Sequence, residues 1–140
     1  MAVIRSFNFK SDYENALSLW QSCGNDLGVG PSDQPGEILK KVARDPDLFL
    51  VAYDSNILIG TVIGGFDGRR GMVYHLAVAR EYRQKGLGNQ LMTELEAKFS
   101  MKGCRKVYLL VKNGNSLAAA FYEKRGWYAM NDVQLYGKNL

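Results

Sequence analysis

The chain opens on a β-like run, Val3 to Phe7. Next comes Ser11-Asp12-Tyr13-Glu14, a serine three residues ahead of a glutamate, which is the signature of a capping box. Behind it Ala16, Leu17 and Trp20 mark an apolar helical stripe running to about Cys23. Residues 24–36 are rich in Gly, Pro, Ser, Asn and Asp and read as a loop, long enough to suggest a binding role. Ile38, Leu39 and Val42 then predict a short second helix that ends near Asp45-Pro46.

Two β-rich runs follow, Leu48 to Tyr53 and Ile57 to Phe66, joined by a hairpin at Asp54-Ser55-Asn56. Asp67-Gly68-Arg69-Arg70-Gly71 predicts a second hairpin turn, into a strand from Met72 to Val78. Leu87, Leu91, Leu95 and Phe99 recur every fourth position and predict a long amphipathic helix, with Gly103 as its C-cap. Val107 to Val111 is nearly all apolar, as expected of a strand covered on both faces. A fourth helix spans about Ser116 to Lys124, stopped by Gly126, and a final strand or hairpin is expected from Trp127 to about Gly137.

The expected order is β-α-α-β-β-β-α-β-α-β, with no linker and no internal repeat. The strand at 73–78, the helix from 87 and the strand at 107–111 make a βαβ unit, which places two parallel strands inside an otherwise antiparallel sheet. The fold class is therefore α/β: a mixed, mostly antiparallel central sheet with a parallel βαβ unit and helices on both faces, in a single domain over 1–140.

At 140 residues, 46% apolar and 23% charged, the chain reads as one globular domain with a good core. No apolar run is long enough to span a membrane and no signal-peptide pattern opens the chain, so the expected compartment is the cytoplasm. The net charge of +4 suits anionic small molecules as well as nucleic acid and decides nothing alone. Basic clusters interleaved with aromatics are lacking, which argues against nucleic acid. Cys23 and Cys104 fit no metal-site spacing; Cys104 reads as a buried, reduced thiol and no metal is expected.

The chemistry starts at Arg83-Gln84-Lys85-Gly86-Leu87-Gly88, which follows the apolar run Val73 to Val78 and opens the long helix. Two glycines in a helix's first turn cost about 1 kcal/mol each relative to alanine. What they permit is close approach of another group to bare backbone N–H donors at the positive end of the helix dipole. Arg83 and Lys85 add mobile positive charge. The turn reads as a phosphate cradle over residues 84–89, Gln84 to Asn89. No Gly-Lys-Ser/Thr follows the glycines, which excludes a P-loop, and the glycine spacing departs from a Rossmann turn.

A second motif is Asn115-Ser116-Leu117-Ala118-Ala119-Ala120-Phe121-Tyr122-Glu123-Lys124-Arg125-Gly126-Trp127. Asn115 is placed to cap the helix, and Ala118 and Tyr122, four apart, share a face thinned by three alanines. Read from the helix alone, Tyr122 is a packing residue. Taken together, the two motifs resemble those of the GCN5-related N-acetyltransferases (GNAT), and the resemblance covers essentially the whole chain. Arg83, Gly86 and Gly88 match the family's Arg/Gln-x-x-Gly-x-Gly/Ala turn. Asn115, Ala118, Tyr122, Gly126 and Trp127 match its Asn-x-x-Ala-x-x-x-Tyr-x-x-x-Gly-aromatic signature. Among the family's branches the chain looks closest to small bacterial acetyltransferases of unassigned substrate.

The resemblance implies the acyl-CoA N-acyltransferase fold, acetyl-coenzyme A as donor, and direct attack by an amine without an acyl-enzyme. It implies that the two parallel strands part, usually at a bulge, and that the pantetheine arm pairs with backbone at Leu76, Ala77 and Val78. Asn115 would contact the arm from the other side, and an amide near Val78 would polarise the thioester carbonyl. Tyr122 would protonate the departing thiolate; a phenol of pKa ~10 keeps its proton at neutral pH.

The acceptor, a small-molecule amine or a peptide or protein amine, must lose a proton before attack. His75, the only histidine, is the first candidate base, and strand alternation puts it on the face opposite Tyr74 and Leu76. Glu37 and Asp67 are the other candidates. The resemblance places the acceptor site at residues 24–37 and 66–71, where Arg69 and Arg70 would meet an acidic substrate or equally form a solvated turn. A non-catalytic acyl-CoA-binding regulatory domain is the competing reading. An exposed C-terminal strand would allow a homodimer.

Overall fold

Five strands lie side by side in chain order: β1 (Ala2–Ser6), β2 (Phe49–Asp54), β3 (Ile57–Phe66), β4 (Gly71–Val78) and β5 (Val107–Leu109). Neighbours from β1 to β4 run antiparallel, and β4 and β5 run parallel. Helices α1 (Phe9–Ser22), α2 (Pro35–Arg44) and α3 (Leu87–Met101) complete this part of the chain, and α4 (Ser116–Lys124) follows. The computed structural model describes residues 2–140, which group into two compact units, one ending at Leu110 and one running from Val111 to Leu140. No helix among the described residues is long and apolar enough to cross a membrane.

Each face of the sheet has its own helical cover, because side chains on a strand alternate sides. Phe49 and Val51 of β2, Ile63 of β3 and Ala77 of β4 share one buried cluster with Tyr13, Ala16 and Trp20 of α1 and Ile38 of α2. The opposite face takes α3. A Cβ on Gly60 would lie 3.0 Å from Leu91, one on Gly64 2.8 Å from Leu95, and one on Gly71 2.7 Å from Phe99. Glycines on the sheet thus open a trough for the four-residue apolar stripe of α3. Gly64 and Gly71, at the margins of the stretch expected to line the acceptor site, serve packing.

The βαβ unit and the mixed sheet form as expected, while several local expectations are overturned. The cap of α1 is Asn8: its Oδ1 accepts from Ser11 N at 3.3 Å, and Asp12 Oδ2 accepts from Asn8 N at 2.7 Å. The reciprocal logic of a capping box holds, but three residues earlier than Ser11, because Asp12 is also held by Arg5 through two bonds of 2.7 and 2.9 Å. Gly86 is the residue before α3, at φ +86°, and Gly88 is helical.

Strand β5 is shorter than expected, and its residues are only half-buried. It pairs along three positions of β4, and Leu110 and Val111 beyond it are exposed. Residues 127–140 form neither the expected strand nor a hairpin: without a ladder partner, the β-prone residues Val133, Leu135 and Tyr136 stay exposed outside any sheet. The edge expected to support a dimer is therefore not formed. Cys104 is half-buried, with its thiol 3.3 Å from the Lys106 carbonyl, rather than sealed in a core.

Candidate active site

The site is set by a kink in β4. Thr61 of β3 pairs with Ala77 and Ile63 pairs with Tyr74, so His75 and Leu76 both lie opposite Val62. One extra residue in one strand is a β-bulge, which bends the strand and re-aims its side chains. His75 adopts φ +50°, a left-handed conformation that costs a non-glycine residue about 1–2 kcal/mol.

Three contacts hold it there. Thr61 Oγ1 donates to the His75 carbonyl at 2.9 Å while accepting from Trp20 Nε1 at 2.9 Å. The Trp20 and His75 rings lie 4.7 Å apart. His75 Nε2 lies 2.7 Å from Asp33 Oδ1. The bulge corrects the expectation from simple alternation: it turns His75 toward α1, on the side where Tyr74 lies near Gly65 and Lys41 of α2.

Pairing between β4 and β5 covers only Gly71–Val107, Met72–Tyr108 and Val73–Leu109. From Tyr74 to Val78 the edge of β4 has no β5 partner. Main-chain donors and acceptors along such an edge pair readily with an extended guest. Leu76, Ala77 and Val78 lie in this open part, next to the bulge; Ala77 contributes its side chain to the core, so backbone is what this residue has to offer.

Beyond β4 the chain turns through Arg80–Tyr82 and reaches Gln84 at φ +62° and Gly86 at φ +86°. The first α-helical bond of α3 runs from Gln90 N to Gly86 O at 3.0 Å, which leaves the Leu87 and Gly88 amides outside the helical ladder. Leu87 is buried and anchors the turn to the sheet beside Gly60. Arg83 is more committed than expected: its Nε donates to the Val78 carbonyl at 2.9 Å, and its Nη2 lies 3.9 Å from Cys23 Sγ. Lys85 reaches over the Tyr82 ring, 5.7 Å from its centre. Asn89 follows in the first turn of α3.

Within the second unit, Asn115 caps α4 as expected, its Oδ1 accepting from Ala118 N at 3.1 Å. The Tyr122 ring is gripped edge-on by Phe121 and Trp127, with centroids 5.1 and 5.9 Å away. Trp127 N donates back to the Tyr122 carbonyl at 3.1 Å, after Gly126 turns at φ +92°. This explains the Tyr-x-x-x-Gly-aromatic spacing: the glycine permits the turn, and the turn returns the indole to the phenol ring. Burial pushes the phenol up to about 12, against a smaller opposing pull from Arg125, so it carries its proton throughout the neutral range.

The remaining sequence candidates do not converge. Asp67 Oδ1 accepts from Arg69 N at 2.8 Å and Arg70 N at 2.7 Å, and these bonds lower its pKa; it is a turn-forming carboxylate. Arg70 lies over the Tyr108 ring at 5.9 Å, and Arg69 stays on the exposed turn. Glu37 pairs with Lys40 on the surface of α2. No cluster of His, Cys, Asp or Glu among the described residues could hold a metal ion. The residues that sequence reasoning missed are Asp33, Thr61 and Trp20. A bulge partner carries no local signal in a sequence, and Asp33 looks like any polar residue in a Gly- and Pro-rich loop.

The first unit thus offers a parted pair of parallel strands followed by a left-handed turn into the next helix, and the second a half-buried phenol on α4. The acetyltransferase (GNAT) family model matches residues 11–127. An acetyltransferase of Sodalis glossinidius (strain morsitans) is 39% identical over 129 residues, 92% of this chain and 89% of that protein. Among solved structures, Ard1 from Thermoplasma volcanium superposes with a TM-score of 0.80 at 22% identity, over 92% of this chain and 84% of that one. PaiA N-acetyltransferase from Thermoplasma acidophilum, solved in complex with coenzyme A, gives 0.75 at 22% identity, over 89% of this chain and 88% of that one. The chain belongs to the GNAT acetyltransferase family, whose donor is acetyl-coenzyme A, and it is an acetyltransferase.

Proposed function

We propose that the protein transfers an acetyl group from acetyl-coenzyme A to a primary amine by direct attack in a ternary complex. The observation that carries this reading is the parting of β4 from β5 after Val73, immediately before the left-handed turn at Gln84 and Gly86. The backbone of residues 84–89 would hold the pyrophosphate, supplemented by Arg83 and Lys85. The pantetheine arm would extend along Leu76 to Val78, and Asn115, whose amide oxygen caps α4, retains amide donors for it. An amide at the end of β4 would polarise the thioester carbonyl and stabilise the tetrahedral oxyanion.

Tyr122 is the general acid of this reading: it keeps its proton at neutral pH and releases it to the sulfur only as thiolate charge develops. His75 is the general base, held half-buried at the bulge beside the open edge of β4. The acceptor would enter by residues 24–37 and 66–71, and is a small-molecule amine or the amine of a peptide.

Tyr122→Phe tests the reading directly. Turnover, followed as thiol release from acetyl-coenzyme A with a panel of primary amines and peptides, should fall about 100-fold or more. Affinity for coenzyme A by calorimetry should stay within about threefold. Unchanged turnover in the folded variant would remove the acid assignment, and failure of the wild type to bind coenzyme A would remove the whole reading.

A further inference from the structure

Asp33 lies in the 3-10 turn Pro31–Asp33 between α1 and α2, far in sequence from the glycine turn and from Tyr122, yet it is buried and each of its carboxylate oxygens has a different partner. Oδ2 accepts from the Gly30 backbone N–H at 3.0 Å. Oδ1 faces His75 Nε2 at 2.7 Å. The Asp33 carbonyl accepts from the Tyr13 hydroxyl at 2.7 Å, which fixes the turn against α1.

An ionised carboxylate only accepts hydrogen bonds, so the hydrogen in the short contact belongs to Nε2. In a neutral imidazole the other nitrogen, Nδ1, then carries the lone pair. No other group among the described residues is bonded to Nδ1. The ring is also fixed in position, by the left-handed backbone at His75, the Thr61 bond to its carbonyl and the Trp20 ring beside it.

We propose that Asp33 is a positioning residue for the acetyl transfer: it holds His75 as the tautomer whose Nδ1 accepts the acceptor's proton. The proposal deepens the function argued above and rests on His75 being the base. In the step it serves, Nδ1 takes one proton from the acceptor ammonium, leaving a neutral amine whose lone pair attacks the thioester carbon. The resulting imidazolium faces the Asp33 carboxylate and returns its proton to water. As the C–N bond forms the C–S bond breaks, the thiolate leaves with the Tyr122 proton, and the second proton of the nitrogen returns to the phenolate through water. The same contact joins the α1–α2 loop to the strand that would carry the thioester, so the segment that receives the acceptor and the base that activates it are placed together.

Asp33→Asn makes a sharp test because the shape is conserved and the hydrogen-bonding is not. An asparagine has one acceptor oxygen, and the Gly30 N–H can only donate, so it claims that oxygen. The amide NH2 then faces Nε2, which must accept, and the ring hydrogen moves to Nδ1. The chain contains one histidine, so nitrogen-15 NMR of the full-length protein reads its tautomer without ambiguity.

The expected results are an Nε2–H ring in the wild type, an Nδ1–H ring in D33N, and a kcat for D33N lowered at least tenfold with KM for acetyl-coenzyme A unchanged. The acceptor in the kinetic assay is whichever amine of the panel gives the fastest thiol release. His75→Gln, assayed alongside, separates the two layers of the argument. If H75Q loses activity while D33N keeps it, the role of Asp33 is overturned and the base assignment stands; if H75Q keeps full activity, the base assignment fails and the proposal falls with it. A loss of kcat in D33N with the Nε2–H signature retained also overturns the proposal, since the carboxylate would then act by another route. Should D33N not fold, an Nδ1–H ring in the wild-type protein is by itself sufficient to overturn it.

Discussion

The two faces of the central sheet are built on opposite rules. Against α1 and α2 the sheet is wired by polar groups: Trp20 to Thr61, Thr61 to His75, His75 to Asp33, and Arg5 and Tyr53 to Asp12. Against α3 it is dry and close-packed, with Gly60, Gly64 and Gly71 receiving Leu91, Leu95 and Phe99. The difference follows from what each face must hold. A strained residue at a bulge needs directional bonds to fix one conformation, because packing alone tolerates several. A helix that begins with the turn proposed to hold the pyrophosphate needs a fixed distance from the strand beside it, and that distance is set by small residues. One face therefore shapes the open edge of β4, and the other sets the height of the turn at residues 84–89.

If the polar face fixes the bulge, Thr61→Val should produce the largest effect among the stability changes predicted for the two faces. The shape is nearly conserved, but the buried Trp20 N–H and the His75 carbonyl lose the hydroxyl that joins them. An unsatisfied buried polar group costs about 1–3 kcal/mol, so a loss of about 3 kcal/mol is expected by urea unfolding. Coenzyme A affinity should fall as well, because β4 is then free to relax toward a regular strand. A variant that is destabilised but binds coenzyme A as tightly as wild type would show that the bulge is not what shapes the cofactor edge.

The clasp at the other end of the polar face makes stability depend on acid. Asp12 is fully buried; desolvation alone would raise its pKa, but hydrogen bonds from Arg5, the Asn8 amide and Tyr53 outweigh that and bring it to about 2, from 3.8. A carboxylate depressed by folding contributes its full stabilisation above the unfolded value and loses it as pH falls through the folded one. The expected contribution is about 2 kcal/mol, present above about pH 4 and gone by about pH 1. Asp12→Asn should lose a similar amount near neutral pH and show a flatter decline on acidification. Urea midpoints of both proteins across that window measure the difference, and parallel slopes would remove Asp12 as the source.

What the sequence made legible divides along the same line. The apolar stripe from Leu87 to Phe99, the glycine turn and the Asn115-to-Trp127 motif are local patterns, and each appears in the structure where the spacing placed it. His75 shows the limit. Its face could not be read by alternation, because the bulge is set by Thr61, fourteen residues away on β3, and by Trp20 on α1. Asp33 is forty-two residues from its partner and gave no signal. Gly64 and Gly71 were legible as glycines but not as the floor of a trough, since that requires knowing that α3 crosses them. Residues 127–140 carried strand propensity, which is insufficient where no ladder partner is in place.

The dry face can be tested at two glycines. At Gly64, a Cβ would lie 2.8 Å from Leu95 and 2.9 Å from the Phe99 ring, both in fully packed side chains. Overpacking of this kind costs about 1–3 kcal/mol, so Gly64→Ala should lose about 2 kcal/mol in thermal or urea unfolding. Gly60→Ala is the smaller and more discriminating change. Its Cβ would approach one Leu91 methyl at 3.0 Å and one Leu87 methyl at 3.3 Å, both at the ends of flexible side chains, and Gly60 is not among the residues at positive φ.

Replacing glycine by alanine at a compatible position also stabilises by about 0.4–1 kcal/mol through the unfolded chain, which offsets most of the crowding at Gly60. Stability within about 1 kcal/mol of wild type is therefore expected. Leu87 is the first residue of α3 and carries one of the amides outside its ladder. Displacing it by a few tenths of an ångström should weaken coenzyme A binding a few-fold while leaving the unfolding midpoint nearly unmoved. Equal binding in Gly60→Ala and wild type would mean that the turn keeps its position without support from the glycine trough, and the two faces would then share the work differently from the division argued above.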